Sequence, residues 1–189
     1  MPSPESYDAV FLDRDGVINE EVGIIRSTDQ LRLISGSGEA IARLNAMGIP
    51  AIVITNQPVV ARGWVSEGEL AEIHRHLREM LRDFGATLDE IHYCPHHENA
   101  NDPAYRTACE CRKPRPGLIQ MALKERNLQP EKCVMIGDRT VDLAAGQAAG
   151  CSTFLVQTGF AGKDGKCDST PDRTFENLAD AVTHIETCR

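Results

Sequence analysis

Short apolar runs alternate along the chain with longer segments whose apolar residues recur at helical spacing. Runs that are apolar at every position are typical of strands buried on both faces inside a parallel sheet. Four such runs occupy residues 9–12, 51–54, 133–136 and 153–156, and residues 90–93 form a weaker fifth candidate. Helical spacing predicts helices at 41–47, 66–81, 118–123, 141–149 and 178–185. The alternation predicts an α/β fold with a doubly wound, mostly parallel sheet and helices on both faces.

Two stretches interrupt this alternation. Residues 93–113 are polar, rich in cysteine and without any period, and we interpret them as a loop inserted into the α/β core. Residues 159–171 are also irregular and predict a surface loop. The length of 189 residues fits one domain, so we expect residues 1–189 to fold as a single unit.

Composition narrows the range of partners more than it narrows the fold. The formal net charge is −8 and no long basic run is present, so extended contact with nucleic acid or an anionic membrane is not expected. A small anion is still compatible with a local cationic pocket. The apolar runs are too short to span a bilayer, and residues 1–5 lack the basic and apolar parts of a signal peptide. We therefore expect a cytoplasmic protein, and we expect it to be a monomer.

Polar residues of particular types follow three of the apolar runs. Asp13 and Asp15 follow the first run, Thr55 follows a second and Asp138 follows a third. The carboxyl ends of strands in an open α/β sheet form the ligand crevice, so these side chains should converge there. Carboxylates gathered in one crevice repel one another unless a cation lies between them, and oxygen ligands suit Mg²⁺. Asp142 is equally compatible with this cluster and with simple stabilisation of the first turn of a helix.

Four segments that carry these residues resemble, in order, the motifs of the haloacid dehalogenase (HAD) superfamily. The segments are Asp13-Arg14-Asp15-Gly16-Val17, Thr55-Asn56-Gln57, Lys113-Pro114 and Gly137-Asp138-Arg139-Thr140-Val141-Asp142. The resemblance runs from about Ala9 to Gly150 and implies the Rossmann-like core of that superfamily. The dehalogenases of the superfamily lack the second aspartate, so the presence of Asp15 favours phosphoryl transfer.

The resemblance implies a role for each matching residue. Asp13 is expected to be the nucleophile that forms an aspartyl-phosphate. Asp15 is expected to protonate the leaving oxygen and later to activate water as a base. Thr55 and Lys113 are expected to hold the oxygens of the transferring phosphoryl group. The catalytic Mg²⁺ is expected to bind Asp13, the backbone carbonyl of Asp15, and Asp138.

A cluster of soft ligands lies in the loop at 93–113. Its members are Cys94, His96, His97, Cys109 and Cys111. Three thiolates and one imidazole suit a closed, tetrahedral site for structural Zn²⁺, which would fold a loop that has no core of its own. The residues alone leave open which of the two histidines is the fourth ligand.

This loop and the segment 109–117 closely resemble the zinc-binding, capless branch of the HAD superfamily. That branch contains D-glycero-D-manno-heptose 1,7-bisphosphate phosphatases and histidinol-phosphate phosphatases. The resemblance implies that the Zn²⁺ ligands are Cys94, His96, Cys109 and Cys111. It also implies that Arg112 recognises the distal part of the substrate and that Arg139 is a further basic contact. The stretch between Asp15 and Thr55 has no room for a separate cap domain, which agrees with a capless branch.

Without a cap, substrate choice should depend on loops around an open crevice. The matching substrate-binding positions are Glu21, Val22, Gly23, Ile24, Asn56, Gln57 and Pro58. The heptose enzymes often carry tyrosine where this chain has Ile24, and they usually carry Ser-Gly where it has Pro58-Val59. Pro58 has no amide hydrogen, so one backbone donor is missing from the phosphate or substrate contacts.

These features predict a Mg²⁺-dependent phosphatase, with D-glycero-D-manno-heptose 1,7-bisphosphate as the first expected substrate. A histidinol-phosphate phosphatase or another small sugar-phosphate phosphatase is the alternative. A polynucleotide 3′-phosphatase is disfavoured by the net charge of −8 and by the lack of an aromatic, basic groove. A zinc-stabilised binding module without catalysis is disfavoured because the residues needed for the chemistry are all present.

Overall fold

The parallel sheet predicted from the apolar runs is present in the computed structural model, which describes residues 6–188. Its strands are β1 (Ala9–Leu12), β2 (Ala51–Asn56), β3 (Glu90–Cys94), β4 (Cys133–Gly137), β5 (Ser152–Val156) and β6 (Arg173–Phe175). They lie in the order β3-β2-β1-β4-β5-β6, and every neighbouring pair is parallel. This is the strand order of a doubly wound, Rossmann-type sheet, so the predicted fold class is confirmed.

Helices cover both faces of the sheet. Those of the described residues are α1 (Ser37–Ala46), α2 (Glu67–Arg82), α3 (Gly117–Glu125), α4 (Thr140–Ala149) and α5 (Leu178–Thr187). The first, second and fifth bury apolar residues on one face, whereas α3 and α4 pack on the other. All five predicted helices are therefore present. Ser66 caps α2 by accepting the N–H of Glu69 at 3.2 Å, and Gly150 ends α4 with a φ of 85°.

The apolar core forms two layers that are separated by the sheet. Successive residues of a strand point to opposite faces, so Val10 and Leu12 pack with α1, α2 and α5. Ala9 and Phe11 point the other way and pack with α3 and α4. β1 lies in the middle of the sheet and pairs with β2 and β4. Asp13, the next residue, consequently emerges between the ends of two neighbouring strands.

The structure differs from the predicted elements at β6. This strand is short and partly exposed at the edge of the sheet, and its Arg-Thr-Phe sequence contains no apolar run. The predicted loop at 93–113 begins with the last residues of β3 and contains a 3₁₀ turn at Pro103–Tyr105. Within residues 6–188 no separate cap domain follows Asp15. The chain there forms a loop with a 3₁₀ turn at Thr28–Gln30 before α1 begins.

In the part of the chain that the structure describes, no helix combines the length and the apolar character needed to cross a bilayer. The interpretation that no signal peptide is present concerned residues 1–5, which lie outside the described residues.

Candidate active site

The carboxyl ends of β1, β2 and β4 lie at the floor of a cleft of about 770 Å³. The predicted site residues that line it are Asp13, Asp15, Glu21, Gly23, Ile24, Thr55, Asn56, Gln57, Pro58, Arg112, Lys113 and Arg139. Asp138 is fully buried next to this floor. Val22 does not line the cleft, since its side chain is half exposed to solvent. The fold thus brings four separate segments of the chain to one place.

Lys113 is the buried centre of the floor. Its Nζ lies 2.9 Å from Asp13 Oδ1 and 2.7 Å from Asp142 Oδ1, and it donates to the carbonyl oxygen of Ile54 at 2.7 Å. Burial lowers the pKa of Lys113, but the charges of Asp13 and Asp142 outweigh burial and raise the pKa above its ordinary value. The ammonium group is therefore charged, and its nitrogen lies within 2.9 Å of three oxygens.

Asp13 is oriented through one of its two carboxylate oxygens. Oδ1 contacts Lys113 and also accepts the backbone N–H of Arg14 at 2.8 Å. Within residues 6–188, every hydrogen bond and ion pair of this side chain involves Oδ1. Oδ2 is left free on a side chain that lines the cleft. A carboxylate held in this way is positioned to attack an electrophile in the cleft.

Three buried carboxyl groups meet beside Lys113. Asp13, Asp138 and Asp142 each have an oxygen within 4.8 Å of the others. Burial, followed by the charge of Asp13, raises the pKa of Asp138 to about 8. Asp138 Oδ1 accepts no hydrogen bond from the described part of the chain. A buried oxygen without a donor, beside further carboxylates, is satisfied by a divalent cation, so these residues fit the predicted Mg²⁺.

Two glycines allow the Asp138 carboxyl group to lie against the backbone. Gly16 has a φ of 81°, and a Cβ there would lie 2.4 Å from Asp138 Oδ2. Gly159 has a φ of 62°, and a Cβ there would lie 2.2 Å from the same atom. Asp138 Oδ2 also accepts the N–H of Phe160 at 2.7 Å. The carboxyl group is thereby fixed between the loops that follow β1 and β5, where any larger residue would displace it.

Asp142 fulfils both of the roles that the sequence left open. It is the third residue of α4, where its Oδ2 accepts the backbone N–H of Arg139 at 3.0 Å and so stabilises the start of the helix. Its Oδ1 lies 2.7 Å from Lys113 Nζ at the floor of the cleft. One side chain therefore connects the first turn of α4 to the central cation.

Asp15 lies at the edge of the cleft within a network of donors. Arg14 donates to its Oδ2 at 2.8 Å, Asn19 to its Oδ1 at 2.8 Å and Gln57 to its Oδ2 at 3.0 Å. Burial raises the pKa of Asp15, but the charge of Arg14 and these hydrogen bonds outweigh burial and hold the pKa below its ordinary value. The resting carboxylate is ionised, as a base must be. A phosphoryl group bound beside it raises the pKa, as an acid requires.

Polar side chains at the end of β2 organise the floor. Gln57 Nε2 donates to Thr55 Oγ1 at 2.9 Å, which leaves the hydroxyl hydrogen of Thr55 available to another acceptor. The Asn56 amide group bonds both to the carbonyl and to the N–H of Lys113, at 3.0 and 3.1 Å. Asn56 was predicted to contact substrate. In this structure it lines the cleft and also fixes the loop that carries Lys113.

The rim of the cleft is formed by side chains on loops. Arg139 Nη2 donates to Glu21 Oε2 at 2.8 Å, and its guanidinium carbon lies 3.8 Å from the centroid of the Phe160 ring. Through these two contacts, Arg139 connects the loop after Asp15 to the loop after β5. Arg112 Nη1 donates to the carbonyl oxygen of His96 at 3.1 Å. Both predicted arginines are thus oriented towards the rim by specific partners.

The sequence did not reveal the cleft residues on the loop after β5. Asp164, Lys166 and Cys167 line the cleft, although 159–171 was predicted to be a surface loop. Thr140 anchors this loop, because its N–H donates to Asp164 Oδ1 at 2.8 Å and its Oγ1 accepts the N–H of Cys167 at 3.0 Å. No motif marks these residues. The available signal was that the loop follows the carboxyl end of a strand in the sheet.

The cysteine-rich loop forms a compact cluster of ligand atoms. The Sγ atoms of Cys94, Cys109 and Cys111 lie 2.9, 3.1 and 3.4 Å apart, and His96 Nδ1 lies 3.3 Å from Cys111 Sγ. In a tetrahedral site with Zn–S bonds of about 2.3 Å, sulfur atoms lie roughly 3.8 Å apart, so modest expansion makes room for the ion. His97 Nδ1 instead accepts a backbone N–H at 3.1 Å. The described geometry groups His96, rather than His97, with the three cysteines.

Comparison with known proteins identifies relatives over nearly the whole chain. A HAD-hydrolase-like family model matches residues 110–181. The D-glycero-beta-D-manno-heptose-1,7-bisphosphate 7-phosphatase of Pasteurella multocida is 40% identical, covering 91% of this chain and 93% of the relative. The enzyme of the same name from Haemophilus ducreyi is 36% identical, covering 94% and 97%. The crystal structure of D,D-heptose 1,7-bisphosphate phosphatase from B. bronchiseptica, complexed with magnesium and phosphate, has a TM-score of 0.84 at 31% identity, covering 95% and 98%.

Sequence and structure therefore point to the same relatives. The first predicted motif ends β1, the second ends β2, the Lys113 segment supplies the central cation, and the last motif joins β4 to α4. The relatives are named as phosphatases and match over more than nine tenths of both chains. The chain is a phosphatase and belongs to the family of HAD-like hydrolases that contains the D-glycero-beta-D-manno-heptose-1,7-bisphosphate 7-phosphatases.

Proposed function

We propose that the protein hydrolyses the 7-phosphate of D-glycero-β-D-manno-heptose 1,7-bisphosphate through a phosphorylated Asp13. The asymmetry of Asp13 carries this proposal: Lys113 fixes Oδ1 at 2.9 Å, while Oδ2 has no partner among residues 6–188. The names of relatives at 40% and 36% identity support the substrate. A cleft of about 770 Å³ is in the range of small-molecule sites and suits a phosphorylated sugar.

In the first half-reaction, Oδ2 of Asp13 attacks phosphorus. The new bond from Asp13 to phosphorus forms as the bond to the sugar oxygen breaks. Asp15, whose pKa the bound phosphoryl group raises, takes up a proton from solvent and gives it to that oxygen. Thr55 donates its free hydroxyl hydrogen to a phosphoryl oxygen. Lys113 Nζ already contacts three oxygens, so we propose that it shares one hydrogen between Asp13 and the phosphoryl group.

In the second half-reaction, Asp15 acts as the base. It takes a proton from water, the water oxygen attacks phosphorus, and the bond between Asp13 and phosphorus breaks. Inorganic phosphate leaves, Asp13 is ionised again, and Asp15 releases to solvent the proton that it took from water. The donors from Arg14 and Gln57 stay on Asp15 through both halves, so its carboxyl group keeps its direction while its protonation changes.

We propose that Asp13, Asp138 and the backbone carbonyl of Asp15 hold a catalytic Mg²⁺. When bound, the ion supplies positive charge that offsets the crowded carboxylates and the phosphate dianion. The unpartnered Oδ1 of Asp138 supports this assignment, as does the magnesium in the similar structure from B. bronchiseptica. Asp142 is assigned to Lys113, which its Oδ1 approaches to 2.7 Å.

We propose that a structural Zn²⁺ is held by Cys94, His96, Cys109 and Cys111. The close approach of three sulfur atoms and one imidazole nitrogen supports the site. Burial raises the pKa of the Cys94 thiol, and a bound zinc ion would bind the thiolate form and reverse that effect. The loop ends at Arg112 and Lys113, so the ion would fix the approach to both the rim and the floor.

We propose that Arg112 binds the phosphate that does not react. Its planar fork suits a phosphate, it lines the cleft, and its bond to the His96 carbonyl orients it. Arg139 and Glu21 hold the opposite loop, on which Gly23 and Ile24 line the cleft. These residues are proposed to contact the sugar, together with Gln57 and Pro58. Val22 is not assigned to the site, because its side chain faces solvent.

We also propose that residues 1–189 form one domain that acts as a cytoplasmic monomer. The continuous six-stranded sheet with a core layer on each face supports a single domain. Light scattering of the purified protein, across the concentrations used in assays, tests the monomeric state. Cell fractionation tests the location.

A turnover panel in the presence of Mg²⁺ tests the proposed substrate. Phosphate release is measured for the β and α anomers of D-glycero-D-manno-heptose 1,7-bisphosphate and for histidinol phosphate, with Asp13→Asn as the inactive reference. We expect the highest kcat/KM for the β anomer, with the 1-phosphate retained in the product. A higher kcat/KM for histidinol phosphate, or loss of the 1-phosphate instead, would overturn the substrate or the position.

A further inference from the structure

A buried histidine on α2 lies behind Asp15 and has no part in the mechanism above. His74 is 7% exposed and lies on the apolar face of the helix with Leu70, Ile73 and Leu77. Its ring packs edge-on against Tyr93, with the two ring centroids 5.6 Å apart. A polar ring in such surroundings is expected to have a specific hydrogen-bond partner.

That partner is Arg14, the residue between the two catalytic aspartates. Its Nη1 lies 3.2 Å from His74 Nε2, and its side chain is 1% exposed. A guanidinium group can only donate, so Nε2 must accept and the imidazole must be neutral with its hydrogen on Nδ1. Burial, followed by the charge of Arg14, lowers the pKa of His74 to about 3, in agreement with the neutral form.

The remaining donors of Arg14 bind the proposed acid and base. Its Nε and Nη2 donate to Asp15 Oδ1 at 3.1 and 3.0 Å, and Nη2 also reaches Oδ2 at 2.8 Å. Nη2 further donates to Gln57 Oε1 at 3.1 Å. One edge of the guanidinium therefore clamps the carboxylate, while the opposite end is held by His74. Within residues 6–188, His74 is the acceptor that Nη1 contacts.

We propose that His74 is a positioning residue, which acts through Arg14 to hold the Asp15 carboxyl group in line with the leaving oxygen. This role rests on the proposed function of Asp15. The five donors of the planar guanidinium have a fixed geometry, so holding Nη1 also fixes the orientation of the donors that bind Asp15. Removing the acceptor at Nη1 leaves a buried donor unpaired, and the guanidinium turns or shifts to find another partner. The carboxyl group that it clamps then loses its alignment.

The chemistry of the leaving group separates this role from a merely structural one. A sugar alkoxide is a poor leaving group and needs a proton from Asp15, whereas p-nitrophenolate departs without one. Misalignment of Asp15 should therefore slow the cleavage of an alkyl phosphate while the attack of Asp13 on p-nitrophenyl phosphate continues. A general loss of folding or of metal would slow both substrates alike.

Three single substitutions in the full-length, metal-loaded protein test the inference. His74→Leu removes the acceptor, and His74→Gln returns an oxygen or nitrogen near the position of Nε2. His76→Leu is the matched control, since His76 lies on the same helix with its side chain 38% exposed. The substrates are p-nitrophenyl phosphate and the alkyl phosphate that the wild type hydrolyses fastest in the panel described above. Rapid-quench rates of phosphorylation are compared, so that slow dephosphorylation does not obscure the aryl substrate.

We expect His74→Leu to lower kcat and the phosphorylation rate on the alkyl phosphate by about 10-fold, a fraction of the usual contribution of general acid catalysis. The KM of His74→Leu, and its phosphorylation rate on p-nitrophenyl phosphate, should stay within about twofold of wild type. For His74→Gln and His76→Leu, the rates on both substrates should stay within about threefold of wild type. Should His74→Leu fail to fold, His74→Asn takes its place, because its oxygen lies near Nδ1 and misses Arg14.

Equal losses on the two substrates, no loss on either, or a His74→Gln variant as slow as His74→Leu would overturn the role of His74. Failure of the proposed function looks different. If wild-type protein releases no phosphate from any alkyl substrate, or if Asp15→Asn shows no dependence on the leaving group, Asp15 is not the acid. The assignment of Asp15 then fails before that of His74 is tested, and the positioning role falls with it.

Discussion

The floor and the rim of the cleft are built in opposite ways. On the floor, Asp13, Lys113 and Asp138 are 6%, 3% and 0% exposed, and Lys113 contacts Ile54 in β2 and Asp142 in α4. On the rim, Arg112 and Arg139 lie on loops and contact other loops. Burial strengthens electrostatic interactions on the floor, whereas solvent weakens them at the rim. We therefore propose that the chemistry and the choice of substrate depend on separable groups of residues.

The largest expected effect comes from the nucleophile of the floor. Asp13→Asn should reduce kcat by at least about 10⁴-fold on every substrate, because an amide is a far poorer nucleophile than a carboxylate. Asp8→Asn is the matched control, since Asp8 is exposed at the opposite end of β1 and should leave kcat unchanged. Circular dichroism checks that both variants fold. A folded Asp13→Asn protein that retains a substantial rate would remove Asp13 from the mechanism.

The next effect links the zinc cluster to both regions. The double variant Cys109→Ser/Cys111→Ser should lose about one equivalent of zinc per chain, as measured by elemental analysis of protein purified without added metal. We expect kcat/KM to fall by at least about 10²-fold, because the loop that ends at Arg112 and Lys113 loses its fixed geometry. Cys188→Ser, near the other end of the chain, is the control. Zinc content that is unchanged in the double variant would rule out this ligand set.

A smaller and more selective effect is expected at the rim. Arg112→Ala should lower kcat/KM for the heptose bisphosphate by about 10- to 10²-fold, which corresponds to the loss of one charge-assisted contact. Turnover of a simple monophosphate should change much less, since it has no second phosphate to bind. Arg75→Ala, at an exposed position of α2, controls for the loss of a positive charge. Equal losses on both substrates would move Arg112 from the rim to the reacting phosphoryl group or to the scaffold.

The smallest expected effect concerns the support beneath the floor. The pKa of His74 is about 3 in the folded chain and near 6.5 when unfolded, so its contribution to stability is complete above pH 6.5 and is lost as the pH falls towards 3. Between about pH 7.5 and 5.5, wild-type protein should lose about 1.4 kcal/mol more free energy of unfolding than His74→Gln. Urea unfolding at both pH values measures this difference. His76→Gln should behave as wild type, and an identical pH response of His74→Gln would show that His74 takes up a proton in the fold.

Most of the fold was predictable because buried strands and amphipathic helices leave a direct record in the apolar pattern. The runs at 9–12 and 133–136 are apolar at each position because both of their faces are covered. β6 was not predictable by this route. Arg173 and Thr174 are exposed at the sheet edge, so nothing in the pattern distinguishes this strand from a loop.

The floor was also largely predictable, because topology alone brings the ends of β1, β2 and β4 together. The partners of individual side chains could not be predicted from the sequence. The contact between Arg14 and His74 joins residues that are 60 positions apart. His74 lies on the apolar face of α2, but the identity of its partner depends on how the helix packs. Likewise, Lys166 reaches the cleft only because the loop after β5 folds back onto α4.

Direct detection of the phosphorylated residue tests the central claim about the floor. Metal-loaded enzyme is mixed with heptose bisphosphate, quenched in acid within one turnover, digested and analysed by mass spectrometry. Our account predicts that the mass of one phosphoryl group appears on the peptide that contains Asp13, and that it is absent from Asp13→Asn. Two results together would contradict the account. Inorganic phosphate is released in full within the single turnover, and at every time before completion the phosphoryl group is found on another residue or on no residue.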